Sequence, residues 1–233
     1  MLQQGVTPLP ILHAEPGLVV VDKPSGLSVH RGWDGGDDFA MTRLRDQLGH
    51  WVWPVHRLDR GTSGCLAMAT NETAASELGV VFSEHRAHKT YLVLVRGTMK
   101  DARGVIDHPV PRSEGGERVE AITAFDRLAP LEGATLVVAR PTTGRLHQIR
   151  RHFRHLGHPL LGDTTWGDNK ANKRMREIGL HRLGLHALAL ALPFGDHEVR
   201  ASAPVPDDLT LPIARLGLDR EALETSLASA LAG

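Results

Sequence analysis

Cysteine is almost absent: Cys65 is the only one in 233 residues. A single thiol excludes an internal disulfide framework and fits a reducing compartment, so a cytoplasmic location is expected. A catalytic thiol is conceivable there, although a small buried apolar side chain is the commoner role. Aromatic residues make up 4% of the chain and include one tyrosine, Tyr91. No apolar run approaches the ~20 residues of a membrane-spanning helix. The opening Met1-Leu2-Gln3-Gln4 lacks the basic and apolar regions of a signal peptide, so no membrane partner is expected. An excess of charge of either sign is missing as well. The 27 basic residues balance the 27 acidic ones, giving a formal net charge of zero. That balance argues mildly against a nucleic-acid binder, whose charge is usually positive.

What is present describes a soluble globular chain, 41% hydrophobic and 23% charged. Its length suits one large domain or two small lobes. The distribution of charge says more than the sum. Arg140 to Leu161 holds five arginines, four histidines and no acid, whereas acids gather between Glu114 and Glu132 and near the C-terminus. One face can therefore be basic while the molecule is neutral.

The most informative stretch is His56-Arg57-Leu58-Asp59-Arg60-Gly61-Thr62-Ser63-Gly64. Trp51-Val52-Trp53-Pro54-Val55 leads in and Cys65-Leu66-Ala67-Met68-Ala69 leads out. Both flanks read as short buried strands, so the nine residues form a loop held at two ends. Gly61 and Gly64 admit special backbone angles, and Thr62 and Ser63 can satisfy loop amides. Asp59 sits among Arg57, Arg60 and His56, cations that favour its ionised form. Such a carboxylate is a nucleophile or a base. It is equally an acid neutralised in a surface turn, since ion-pair networks place charges the same way.

Along the chain, 1–17 reads as a proline-punctuated arm and Leu18–Val21 as a strand entering the turn Lys23-Pro24-Ser25-Gly26. Trp33 to Asp38 is a glycine- and acid-rich loop. Met41 to Leu48 has helical spacing closed by Gly49, and Asn71 N-caps a helix reaching His85. Lys89 to Gly97 is a strand, 104–118 an exposed hairpin or loop, and 121–128 and 135–139 are strands. Leu146, Ile149, Phe153 and Leu156 keep helical spacing to Gly157, which leaves Arg150, Arg151 and Arg154 on a cationic face. That face is either merely solvated or a phosphate-contacting surface, and the absence of acids favours phosphate. Leu183 to Leu192 and Val199 to Ala203 read as strands, and 207–233 as a helical extension. Elements of both kinds, interleaved, give an α+β fold.

The loop around Asp59 resembles the signature of the RluA-type RNA pseudouridine synthases, His-Arg-Leu-Asp followed by Thr-Ser-Gly. Other family motifs recur in order: Lys23-Pro24-Ser25-Gly26, Lys89-Thr90-Tyr91, Thr143-Gly144-Arg145-Leu146-His147-Gln148-Ile149-Arg150, and Leu183-Gly184-Leu185-His186-Ala187. The resemblance covers about Leu18 to Pro204 and implies a catalytic domain spanning 18–206. It further implies a mixed, mostly antiparallel central sheet in two lobes, with flanking helices and a catalytic cleft. The implied reaction turns uridine in RNA into pseudouridine, with no cofactor. On that resemblance Asp59 is the essential group, Arg145 pairs with it, and Tyr91 stacks on the target uracil, as suits a flipped base. Arg57 fills the gap left in the RNA, while His56, Lys23, Lys89, His147, Arg150 and Leu185 border the substrate. No added N-terminal RNA-binding module is expected. The compact form and the polar stretch Gly167 to Asn172 resemble the tRNA-modifying branch acting at uridine 65, with ribosomal RNA the alternative substrate. A monomer is expected.

Competing classes fit less well. A phosphatase or dehalogenase with an aspartate nucleophile usually has a second acid two residues later, where this chain has Gly61. A non-catalytic RNA-binding module explains the arginines and leaves Asp59 without a role. His152, His155 and His158 invite a metal, yet their neighbours are arginines, so isolated solvent- or RNA-facing histidines and no metal are expected. Trp166 stands where the family often has tyrosine.

Overall fold

The computed structural model describes residues 7–30 and 38–232. The loop expected over Trp33 to Asp38 lies outside the described residues except at Asp38. Among them the elements run β1 (Ile11–Glu15), β2 (Leu18–Lys23), α1 (Ala40–Leu48), β3 (Trp53–Pro54), β4 (Ser63–Ala69), α2 (Glu72–Ser83) and β5 (His88–Arg96). They continue with β6 (Arg103–Asp107), β7 (Val110–Pro111), β8 (Arg118–Val119), β9 (Ile122–Leu131), β10 (Ala134–Pro141), α3 (Gln148–His155) and α4 (Asn169–Glu177). The last are β11 (Leu185–Phe194), β12 (His197–Ser202), α5 (Asp207–Arg215) and α6 (Arg220–Ala232). The pairings β1–β2, β2–β4, β5–β10, β10–β9, β9–β6 and β11–β12 are antiparallel, and the α+β class with a mostly antiparallel sheet expected from the sequence is what the chain adopts.

Two compact units divide the chain, one ending at Lys89 and taking back Ala187–Pro204, the other formed by Thr90–His186 and the chain from Val205. In the first unit β2 pairs with β1 on one side and β4 on the other. Residues 11–15, read as part of an arm, are thus an edge strand. All seven positions of β4 are buried, the pattern of a strand covered on both faces. On one face Leu18, Val20, Cys65, Ala67 and Ala69 pack with Ala74, Leu78 and Val81 of α2 and with Leu190 and Leu192 of β11. That helix starts as its sequence predicts, with the Asn71 side chain accepting from the Ala74 amide at 2.8 Å. The N-terminal flank of the signature loop is shorter than its apolar run suggested, only Trp53–Pro54 pairing with β4. Pro54 cannot donate to a ladder, which limits such a strand to an edge.

The second unit is built on the antiparallel order β5-β10-β9-β6; of the stretch 104–118 read as an exposed hairpin or loop, the first part is β6 of this sheet, and β7 pairs with β8 beyond it. Phe153 of α3 is fully buried and meets Phe125 of β9 edge-on at 5.9 Å. Leu156, placed by its spacing on the same apolar line, is instead 39% exposed, because α3 ends one residue earlier at His155.

Gly64 is the position where the backbone leaves no room for a side chain. Its φ is +107°, and an added Cβ would lie 2.2 Å from the Ala187 carbonyl oxygen, a backbone atom that cannot swing aside. A Gly64→Ala variant is therefore expected to lose about 3 kcal/mol or more of stability, read as a lower urea midpoint with an unchanged slope.

Candidate active site

In the first unit the loop bearing Asp59 is fastened to the turn after β2. Lys23, expected to border the substrate, is fully buried. Its Nζ donates to the carbonyls of Pro24 at 2.9 Å, Leu27 at 2.7 Å and Arg60 at 3.4 Å. The Gly26 amide donates to the Arg60 carbonyl at 2.8 Å, and Arg60 Nε returns a bond to the Gly26 carbonyl at 2.9 Å. Ser25 Oγ donates to the Gly61 carbonyl at 2.8 Å. Within the loop the Thr62 amide closes a turn on the Asp59 carbonyl at 2.9 Å. Asp59 is half-buried and Arg57 exposed, so the carboxylate sits on a backbone clamped on both sides while the guanidinium two residues earlier faces solvent. Ser25 was not singled out by sequence, and only its place in the Lys-Pro-Ser-Gly turn signalled it.

His56 fixes the other end of the loop. Its Nε2 accepts the Ala67 amide of β4 at 2.9 Å, and its ring stacks on Phe82 of α2 at 4.5 Å and 12°. An imidazole accepting through Nε2 is neutral and carries its hydrogen on Nδ1. Burial first, and then the charge of Lys89, push the His56 pKa down to about 3. Lys89 is itself half-buried, and burial lowers its ammonium to about 8. Cys65 is no nucleophile. Its thiol lies 3.6 Å from the Ala201 carbonyl, and burial raises it to about 12.

In the second unit, Gln148 organises the loop that presents Arg145. Its Oε1 accepts from Thr143 Oγ1 at 2.7 Å and from the Arg145 amide at 3.0 Å, and its Nε2 donates to the Ile122 carbonyl and Thr123 Oγ1. All four hydrogen-bonding positions of that amide are used. Sequence marked Gln148 as a motif member without giving it this role. Arg145 is half-buried, its Nε donating to the Glu120 carbonyl at 3.2 Å. His147 enters α3 in the left-handed region, φ 53° and ψ 29°, a conformation rare outside glycine. Tyr91 of β5 is 8% exposed and faces Ala139 of β10 across the ladder. Leu185 is buried in β11.

One expectation about α3, that for His152, is revised, and Arg150 has an internal partner that the sequence did not show. Arg150, assigned to the substrate, is buried and forks onto Asp163, Nε to Oδ2 at 2.7 Å and Nη2 to Oδ1 at 2.9 Å. Asp163 Oδ1 also accepts the Thr165 and Trp166 amides. Burial alone would raise the Asp163 carboxyl, but Arg150 and those amides outweigh it and hold it below the usual carboxylate range. His152, expected to face solvent or RNA, is fully buried, with Nδ1 2.9 Å from Thr123 Oγ1 and Nε2 2.9 Å from the His108 carbonyl. Helical spacing located the arginine face but not the acid downstream, because Asp163 reaches Arg150 through a turn.

These features define a class of protein. The family model described as RNA pseudouridylate synthase matches residues 17–155, and the chain belongs to that family of RNA isomerases. It is 38% identical to the tRNA pseudouridine synthase C of Vibrio parahaemolyticus, covering 91% of this chain and 97% of that protein. It is 41% identical to the protein of the same name from Vibrio cholerae, over 78% and 84% of the two chains. Among solved structures, human RNA Pseudouridylate Synthase Domain Containing 1 superposes with a TM-score of 0.76 at 28% identity, covering 98% of each chain. The resemblance read from the Asp59 and Arg145 motifs is borne out.

Because the folded state holds His56 neutral while the unfolded chain titrates near pH 6.5, the unfolded state binds the extra proton between those values. The His56 contribution is thus complete above pH 6.5 and is lost as pH falls toward 3. His56→Gln should flatten that limb by up to about 1.4 kcal/mol per pH unit, measured by urea unfolding at pH 4 to 7. Asp163→Asn should cost about 3 kcal/mol, since it leaves the Arg150 charge buried without its carboxylate, and should appear in the same unfolding measurement at pH 7.

Proposed function

We propose that this enzyme converts uridine to pseudouridine in tRNA, at uridine 65, with Asp59 as the essential group. The tRNA assignment is carried by the end-to-end match to the Vibrio parahaemolyticus tRNA pseudouridine synthase C. The position within tRNA rests on resemblance to that branch of the family. The bond from C1′ to N1 breaks, the uracil turns, and C5 takes its place on C1′; N1 gains a proton and C5 loses one, so the step is an isomerisation without net redox change. Asp59 either attacks C1′ or removes the 2′ proton. On the family resemblance Arg145 pairs with Asp59 and Tyr91 stacks on the uracil. Arg57 fills the place of the flipped nucleotide, which its exposure supports. The bonds that clamp Arg60 and Gly61 support the assignment of Asp59, because a reacting carboxylate gains most when its backbone cannot drift. The enzyme acts as a cytoplasmic monomer, a state that light scattering would check.

The test is tritium release from C5-labelled uridine in bulk tRNA and, separately, in ribosomal RNA. Wild type is expected to release tritium from tRNA, and Asp59→Asn to lower that rate by about a thousandfold or more. Release from ribosomal RNA alone would overturn the substrate and keep the chemistry. Full release by Asp59→Asn would remove Asp59 from its role.

A further inference from the structure

Trp166 stands in the turn between Asp163 and α4, and two guanidinium groups of α3 converge on its ring. Arg151 Cζ lies 4.4 Å and Arg154 Cζ 5.4 Å from the ring centroid. Three residues apart on one helix, the two arginines are neighbours on its surface. Each gains from the indole face, and together they hold two like charges beside one ring. Among the described residues neither forms an ion pair with a carboxylate. The acid nearest in sequence, Asp163, is engaged by Arg150. Burial, and then the charge of Arg118, disfavour the Arg151 cation, with Glu114 offsetting part of this and Arg150 adding to it. Two donors here are also unmet: Arg151 Nε and Trp166 Nε1 are buried without a hydrogen-bond partner. Unmade bonds of that kind cost about 1–3 kcal/mol each, so internal pairing does not account for the cluster, whose accessible cation is the exposed Arg154.

The ligand must be anionic, rich in acceptor oxygens and compatible with guanidinium forks. A phosphodiester meets all three requirements. Helix α4 begins three residues beyond Trp166 and extends the field, since Lys170, Lys173, Arg174 and Arg176 are all exposed. We propose that Trp166, Arg151 and Arg154 form a phosphate clamp for the backbone of the RNA substrate, with the indole holding both guanidinium groups in place. The clamp rests on the reading of the protein as an RNA-modifying enzyme, and it gives a function to the position where tryptophan replaces the tyrosine common in the family.

The experiment compares wild type with Arg151→Gln/Arg154→Gln, Arg154→Gln, Trp166→Leu and Trp166→Tyr, using bulk tRNA as probe. Binding is measured from low to high salt, and tritium release gives kcat and KM. Each arginine that meets a phosphate contributes about one unit to the slope of log affinity against log salt. The double variant should therefore have a slope shallower by about two and a KM raised by roughly an order of magnitude, with the loss concentrated in KM. Arg154 is exposed, so Arg154→Gln should fold normally and show about half the slope change. Trp166→Leu should weaken binding and Trp166→Tyr should restore it. Unchanged affinity and slope in both arginine variants would overturn the clamp. If wild type releases no tritium from any RNA while the arginine variants still flatten the slope, the clamp stands and the enzymatic reading of its substrate fails.

Discussion

The ammonium of Lys23 is the interaction on which the Asp59 loop depends. A fully buried cation carries a desolvation penalty of several kcal/mol unless polar groups replace its water. Here backbone carbonyls do so, two from its own turn and one from Arg60. Three donors on one nitrogen can meet three carbonyls only when the two loops keep their mutual geometry. The reciprocal bonds between Gly26 and Arg60 and the Ser25 bond to Gly61 then add direction to what the charge enforces. Asp59 thus takes its position from a lysine whose side chain is fully buried.

His56 completes the constraint from the other side. A charged imidazole would have to surrender the Ala67 amide, so the bond to β4 and the neutrality of the ring are one condition. The loop is therefore held by a buried cation at one end and an uncharged ring at the other. Between them Arg57 remains exposed, so an accessible cation stands two residues from a half-buried carboxylate whose backbone is tied down.

Much of this was legible in the chain. Continuous apolar runs located β2, β4 and β5, helical spacing located α1 and α2, and Gly49 and Asn71 marked an end of each helix for reasons of backbone angle and local hydrogen bonding. The motifs located Asp59, Arg145 and Tyr91 through resemblance, not through periodicity. What was not legible depended on long-range partners. Nothing near Lys23 announces that its nitrogen is buried, because burial is conferred by Arg60 and Leu27 after folding. Arg150 looks like Arg151 and Arg154 in sequence, and differs only because Asp163 returns to it through the turn before α4. Trp53–Pro54 shows the opposite error, an apolar run whose pairing is cut short by proline.

The neutral net charge receives its explanation from the same partners. Arg43 is matched by Asp38, Arg96 by Asp168, Arg140 by Asp126, Arg150 by Asp163 and Arg182 by Asp208. Each such pair is locally neutral and contributes little to the field felt by an approaching polyanion. A total of zero therefore does not measure affinity for RNA. What matters is which cations lack an internal acid, and on α3 those are Arg151 and Arg154, beside the exposed basic residues of α4. Attraction to a phosphate backbone is set by this remainder, since only a cation whose field is not already cancelled by a neighbouring carboxylate gains by displacing counterions from the nucleic acid. A chain can in this way keep a neutral composition, use its acids to pair arginines both buried and exposed, and still present a cationic surface where a substrate is to be held.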